Sequence, residues 1–241
     1  TGGSGQLGLE ILKSKPKGTH IIKPSKNELD LSDYNACVNV VKDLKPDWII
    51  NCGAYTQVDD AEKNILLSKK INSYAPAAFV EAINETNTNL LHISTDFVFD
   101  GNQNFPYKEN QIRNPLSQYG ASKALGEELI EKKINNNIEK ATILRTSWVI
   151  SPIGKNFVLT MLRLHSEKEN IKVVSDQIGC PTSAGELAKA CWSHDQNMRP
   201  SIDYILKVLT EIEDELNVMS KNNNNNNNND KKKKNVDDGN T

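Results

Sequence analysis

The sequence predicts an α/β fold: a doubly wound, mostly parallel, Rossmann-like sheet with an incomplete second substrate lobe and a disordered C-terminal tail. Three observations predict it. Short apolar runs alternate with amphipathic stretches, a glycine-rich turn opens straight into a helix, and two of the runs are apolar almost without interruption. Strands that alternate with helices need crossover connections, and these give parallel pairing with helices on both faces. The runs Ile49-Ile50-Asn51-Cys52 and Leu90-Leu91-His92-Ile93 suit strands covered on both sides.

Taken in order, helical spacing covers Gln6 to Lys13, Tyr34 to Leu44, Leu66 to Asn84 and Gln118 to Ile134. Strands are expected at His20 to Ile22, Trp48 to Cys52, Leu90 to Thr95, Ala141 to Thr146 and Lys172 to Val174. The opening Thr1-Gly2-Gly3-Ser4-Gly5-Gln6-Leu7-Gly8 sets Gly2, Gly5 and Gly8 just before the first helix. Residues without a Cβ let the backbone turn tightly and approach a pyrophosphate, which the helix N-terminus then meets with unpaired N–H groups. In a doubly wound sheet a central strand precedes this turn. The chain starts at the turn, so an N-terminal truncation of about half a dozen residues is expected.

Composition narrows the function classes. The 241 residues suffice for one large α/β domain plus a short appendix. With 29 basic and 31 acidic residues the formal charge is −2, which argues against a nucleic-acid or membrane-surface partner held by bulk electrostatics. Cys37, Cys52, Cys180 and Cys191 lie far apart, with no C-x-x-C pair and no histidine cluster. Reduced cytoplasmic thiols, and no metal, are the expectation. No apolar run approaches the roughly 18 residues of a membrane span, and no signal peptide opens the chain. The asparagine run Asn222 to Asn229 and the lysines Lys231 to Lys234 cannot bury apolar surface, so 218–241 is read as disordered.

Candidate chemistry gathers in the middle of the chain. Tyr119 and Lys123 are spaced i, i+4 and share a helix face. An ammonium there would favour the phenolate and draw the tyrosine pKa toward neutrality, making Tyr119 a general acid. Ser94-Thr95-Asp96 directly follows a strand, at the sheet edge where open parallel sheets bind ligands. A hydroxyl there can hold a carbonyl oxygen beside the phenol; the plain alternative is a capped turn. Each feature alone is common, but glycine turn, post-strand hydroxyls and tyrosine–lysine helix in this order are far more specific. For the cofactor, Ile22-Lys23-Pro24-Ser25-Lys26 shows no carboxylate after the second expected strand to bind a ribose 2′-hydroxyl. Lys23 or Lys26 can face a 2′-phosphate instead, which favours NADPH over NADH; a solvated loop is the alternative for both lysines.

These residues sit in stretches that resemble the extended short-chain dehydrogenases, and among them the dTDP-4-dehydrorhamnose reductase family. The similarity runs through Asn51-Cys52-Gly53-Ala54-Tyr55-Thr56-Gln57-Val58-Asp59-Asp60-Ala61-Glu62, Ser94-Thr95-Asp96-Phe97-Val98-Phe99-Asp100-Gly101 and Pro115-Leu116-Ser117-Gln118-Tyr119-Gly120. It continues in Arg145-Thr146-Ser147-Trp148-Val149 and Asp176-Gln177-Ile178-Gly179-Cys180-Pro181-Thr182. The resemblance implies cofactor contacts at Gly5, Gln6, Leu7, Asp30, Leu31, Ala54, Tyr55, Thr56 and Ile93. It implies sugar-nucleotide contacts at Thr95, Asp96 and Trp148, with Tyr119 as proton donor and Lys123 on the nicotinamide ribose. The implied reaction is reduction of the C4 ketone of a dTDP-linked 6-deoxyhexose; a homodimer is one assembly left open.

After Ala184 the similarity gives way. Leu187 to Leu209, with Cys191-Trp192 and Arg199-Pro200-Ser201, resembles the last helices of a protein kinase domain. Kinase chemistry is excluded, because the kinase glycine loop, H-R-D and D-F-G are all missing. The expected organisation is thus 1–184 reductase domain, 185–217 kinase-like helical fragment and 218–241 tail. Two other classes stay open. One is a non-catalytic regulatory subunit, since the methionine adenosyltransferase beta subunit resembles these reductases; the other is an inactive chimeric fragment. Tyr119, Lys123 and Thr95 favour the enzyme, whereas the shortened ends favour loss of catalysis.

Overall fold

The computed structural model describes residues 1–134 and 138–193, which belong to one compact unit. Helix α1 spans Gln6–Lys13 and α2 Tyr34–Leu44, followed by strand β1, Trp48–Asn51. Three short helices come next: α3 Val58–Ala61, α4 Ile65–Lys69 and, after a π-helical turn at Lys70–Tyr74, α5 Ala75–Asn84. Strand β2, Asn89–Thr95, leads through a 3₁₀ turn and a long loop to α6, Gln118–Lys133, and on to β3, Ala141–Thr146. The remaining elements are β4 Val149–Ile150, α7 Phe157–Glu167, β5 Thr182–Ser183 and α8 Ala184–Trp192.

The main sheet has the order β1-β2-β3, parallel throughout, with Trp48 opposite Asn89 and Leu90 opposite Ala141. Alternation along each strand divides the core in two. Ile49, Leu90 and Ile143 face a cluster with Val38, Val41, Phe79 and Ile83 of α2 and α5 and Ile130 of α6. Ile50, Ile93 and Leu144 face the opposite cluster, built on Leu7 and Ile11 of α1 and Leu187 and Ala188 of α8. Helices cover both faces, as the uninterrupted apolar strands predict. Trp192 Nε1 of α8 also donates to Ser14 Oγ at 3.2 Å, just beyond α1. The kinase-like stretch past Ser193 and the Asn/Lys-rich tail lie outside the described residues.

Two expected strands are absent. His20–Ile22 is irregular, because a strand exists only as half of a hydrogen-bonded pair and no pairing reaches this segment among the described residues. Lys172–Val174 is irregular and exposed; the parallel partner of β4 is Thr182–Ser183 instead. The single expected helix Leu66–Asn84 keeps its length but contains the π turn, a local insertion that often marks a functional site.

That π turn packs on α6 with little space. A Cβ on Gly126 would fall inside van der Waals contact of the Asn72 backbone carbonyl. Gly126→Ala should therefore lower stability by about 1–2 kcal/mol, the overpacking cost exceeding the gain of about 1 kcal/mol in helix propensity. Urea unfolding checks it: a variant more stable than wild type would show that the contact yields freely.

Candidate active site

The carboxyl ends of β1, β2 and β3 converge with the glycine turn. Gly2 has φ +65°, a conformation L side chains rarely adopt, and a Cβ there would stand 2.6 Å from the Gly53 nitrogen. The turn is therefore seated directly on the chain leaving β1. Gly5 donates to Gly2 O at 2.9 Å and caps α1 from its backbone, without a side-chain cap. The first N–H groups of the helix, at Gln6, Leu7 and Gly8, are thus left to an incoming anion. Leu31 packs on Gly53, and the neighbouring Asp30 carboxylate accepts from Ser32 N at 2.8 Å, which holds its pKa below the ordinary aspartate value. The aliphatic stem of Lys23 lies over Gly3. Of the two lysines considered for a 2′-phosphate, Lys23 is the one packed on the turn.

The Ala54-Tyr55-Thr56 segment is held by a residue that motif reading passed over. Asn72, 1% exposed on the π turn, accepts from Tyr55 N at 2.8 Å and donates to Tyr55 O at 3.0 Å and Ser122 Oγ at 2.9 Å. Ser122 Oγ in turn donates to Tyr119 O at 2.7 Å. One asparagine therefore sets the spacing between the chain after β1 and the helix bearing Tyr119 and Lys123. A lone asparagine carries no motif, so only burial exposes the role.

Thr95 ends β2. Its hydroxyl donates to Asp96 Oδ1 at 3.0 Å and accepts from Phe97 N at 3.2 Å. The Phe97 ring meets Tyr119 edge-on, with centroids 5.7 Å apart, and the Thr95 hydroxyl lies close enough to act on the Tyr119 phenol. Burial pushes the Tyr119 phenol up to about 12, further helped by Asp96 and opposed by Thr95. This departs from the expected lowering by Lys123. The Lys123 amino group turns to the sheet, donating to Ile93 O at 2.6 Å and lying 3.2 Å from His92 Nε2. Desolvation, with no ammonium among its causes, sets the phenol. Tyr119 stays protonated across neutral pH, which is the form a proton donor needs.

Behind the helix, the fully buried carboxylate of Glu127 receives Arg145 Nη2 and Arg113 Nε, each at 2.6 Å. Arg145 also stands over the Phe99 ring at 5.1 Å. Burial raises the Glu127 pKa, but the hydrogen bonds and charges of Arg145 and Arg113 outweigh it, and the net shift is downward. Glu127 continues the Tyr119, Lys123 face at i+8, a periodic signal that could have flagged it.

Trp148 adopts φ +43° at the turn between β3 and β4. Its ring lies against Gly179 and 6.1 Å from the Phe157 ring. Among the described residues no hydrogen bond or ring contact joins it to Tyr119, Thr95 or Asp96; it belongs to the wall made by β4, α7 and the 176–182 segment. That wall is tied to the glycine turn through Gln6, which donates to Lys155 O at 3.1 Å and accepts from Asn156 Nδ2 at 2.9 Å. The described residues contain no group of side chains able to hold a metal ion, and none of their helices is long and apolar enough to cross a membrane.

A glycine turn, post-strand hydroxyl and tyrosine–lysine helix gathered at one sheet edge have counterparts in known proteins. The family model for the RmlD substrate binding domain matches residues 1–204. The chain belongs to that family. It is 38% identical over 188 residues to a dTDP-4-dehydrorhamnose reductase of Burkholderia thailandensis, a match covering 78% of this chain and 62% of that protein. It also resembles two solved dTDP-4-dehydrorhamnose reductases at TM-score 0.73. The Clostridium acetobutylicum structure is 35% identical, with 88% of this chain and 69% of that one covered. The Bacillus anthracis structure, a complex with NADP, is 38% identical over 79% of this chain and 67% of that one. This RmlD-family chain thus spans a little under two thirds of the Burkholderia relative.

Proposed function

We propose that this RmlD-family chain acts in NADPH-dependent reduction of the C4 ketone of dTDP-4-dehydro-L-rhamnose to dTDP-L-rhamnose. The observation that carries the reading is the convergence of Thr95, Tyr119 and Lys123 beside the glycine turn. The named activity of the Burkholderia relative, and the NADP held by the Bacillus structure, support it. The bound nicotinamide supplies a hydride. The chain's own residues do the rest. The open N-terminus of α1 and the glycine turn take the pyrophosphate, with Lys23 over the turn for a 2′-phosphate. Thr95 and the Tyr119 phenol hold the ketone oxygen, and Tyr119 passes its proton to that oxygen as negative charge develops. Lys123, held by Ile93 O and His92, keeps one further N–H for the nicotinamide ribose. Asp96 and Trp148 orient the sugar nucleotide.

Gly5→Asp tests the cofactor half. A carboxylate at the helix N-cap would occupy the pyrophosphate position and repel it, so NADPH affinity measured by cofactor fluorescence should fall by roughly a hundredfold or more. Equal affinity in the variant would remove the turn from the site.

A further inference from the structure

Behind Lys123 lies a buried polar chain that the reduction chemistry does not use. Lys123 and His92 are 2% and 1% exposed, and Asn51 is 1% exposed. Besides the two Lys123 contacts, His92 Nδ1 lies 2.9 Å from Asn51 Nδ2. Asn51 Oδ1 accepts from the Thr1 hydroxyl at 2.6 Å, and that hydroxyl accepts from Gly53 N at 3.0 Å.

A neutral imidazole offers one N–H and one lone pair, while an ammonium offers three N–H groups and no lone pair. Full burial and the adjacent Lys123 keep the His92 ring neutral. Two hydrogen-bonding arrangements of His92 and Lys123 then exist on the same heavy-atom positions, the second releasing the Thr1 hydroxyl proton from Asn51. In the first, Asn51 Nδ2 donates to His92 Nδ1, the ring proton sits on Nε2, and Nε2–H donates to Lys123 as a neutral amine. In the second, the Lys123 ammonium donates to Nε2, the ring proton sits on Nδ1, and Nδ1–H donates to the Asn51 carbonyl oxygen after the amide turns over. The turned amide then donates to the Thr1 hydroxyl. Exchanging amide oxygen and nitrogen costs no displacement, because the two ends have nearly the same shape.

Both arrangements leave Lys123 one N–H beyond Ile93 O and His92. They differ in charge by one proton, which comes from solvent. We propose that His92 is a positioning residue whose tautomer, coupled to the Asn51 amide, switches Lys123 between amine and ammonium and so sets the charge at the carboxyl end of β2. Burial also lowers the pKa of the Thr1 ammonium, which donates to Ile50 O at 2.9 Å, so its titration is followed separately; the remaining titratable groups around Lys123 do not change over this range. Glu127, on its own helix, is held ionised by Arg145 of β3 and Arg113 of the preceding loop. The Tyr119 phenol stays neutral, and burial pushes the Cys52 thiol at the end of β1 up to about 11. Burial meanwhile lowers Lys123 to about 8, inside the working range of an enzyme.

The switch matters for catalysis through the proposed reductase function, but its test needs no turnover. The chain is labelled with ¹³C at lysine Cε and ¹⁵N in histidine rings, with Lys123 assigned by loss of its signal in Lys123→Met. In the ligand-free protein, His92 should pass from the Nδ1–H to the Nε2–H tautomer as pH rises, with the same midpoint as Lys123. His92→Gln, which keeps both a donor and an acceptor, should leave that midpoint near wild type. His92→Leu, which removes the acceptor for the ammonium, should move it down by about a unit or more. A His92 tautomer that stays fixed while Lys123 titrates, or an unmoved midpoint in His92→Leu, overturns the proposal. If His92→Leu does not fold, the coincidence or separation of the two wild-type titrations still decides. Absence of ketone reduction alongside coincident titrations would count against the reductase function alone.

Discussion

Tyr119→Phe should cut ketone reduction by about 10²–10⁴-fold, the usual worth of a positioned general acid, while NADPH affinity stays close to wild type. The phenol is buried against Phe97, and burial pushes its pKa up to about 12. It is therefore fully protonated at neutral pH, and an alkoxide forming beside it is basic enough to take the proton. Phenylalanine keeps the ring and its edge contact with Phe97, so loss of rate without loss of binding isolates the hydroxyl. The measurement is single-turnover NADPH oxidation with the 4-keto sugar nucleotide, paired with cofactor titration. Wild-type turnover in the variant would sink the assignment of Tyr119 as donor. An equal fall in cofactor affinity would point to a structural part for the ring.

Glu127→Gln should destabilise the chain by about 2–4 kcal/mol. Removing one member of a buried ion network typically costs about 3–5 kcal/mol, because the remaining charges lose their partner inside the protein. Here the fully buried carboxylate serves two arginines whose side chains are 22% and 19% exposed, so water recovers part of the loss. The damage should be local first. Glu127 ties α6 to β3 through Arg145 and to the loop before α6 through Arg113, and that helix carries Tyr119 and Lys123. Chemical denaturation of wild type and variant gives the comparison, and a difference below about half a kcal/mol would show that the arginines find other partners.

The sequence by itself determined the fold class and most element positions. Gln6–Lys13, Tyr34–Leu44 and Ala141–Thr146 lie where periodicity puts them, and the near-continuous strands Trp48–Asn51 and Asn89–Thr95 are covered on both faces. Local patterning suffices for these because each apolar stripe has one way to be buried. Gly2, Thr95, Tyr119 and Lys123 stand on the turn, strand end and helix that local spacing assigns them, because each placement is set within one turn or one helix. Strand formation at His20–Ile22 and Lys172–Val174 was misjudged from local apolar character, since pairing is a property of two segments and composition reports on one.

Tertiary structure alone decided the rest. It gave the site its electrostatics, because desolvation depends on what surrounds a group; the same Tyr119–Lys123 spacing that suggests a lowered phenol surrounds a raised one. Only packing reveals Asn72 as the link between Tyr55 and Ser122, residues 17 and 50 positions away from it. Only packing, too, selects Lys23 over Lys26 at the glycine turn and brings His92 between Asn51 and Lys123. Each of these contacts joins segments far apart in the chain, and a buried hydrogen bond constrains the position and protonation of its partners without constraining any motif the chain displays.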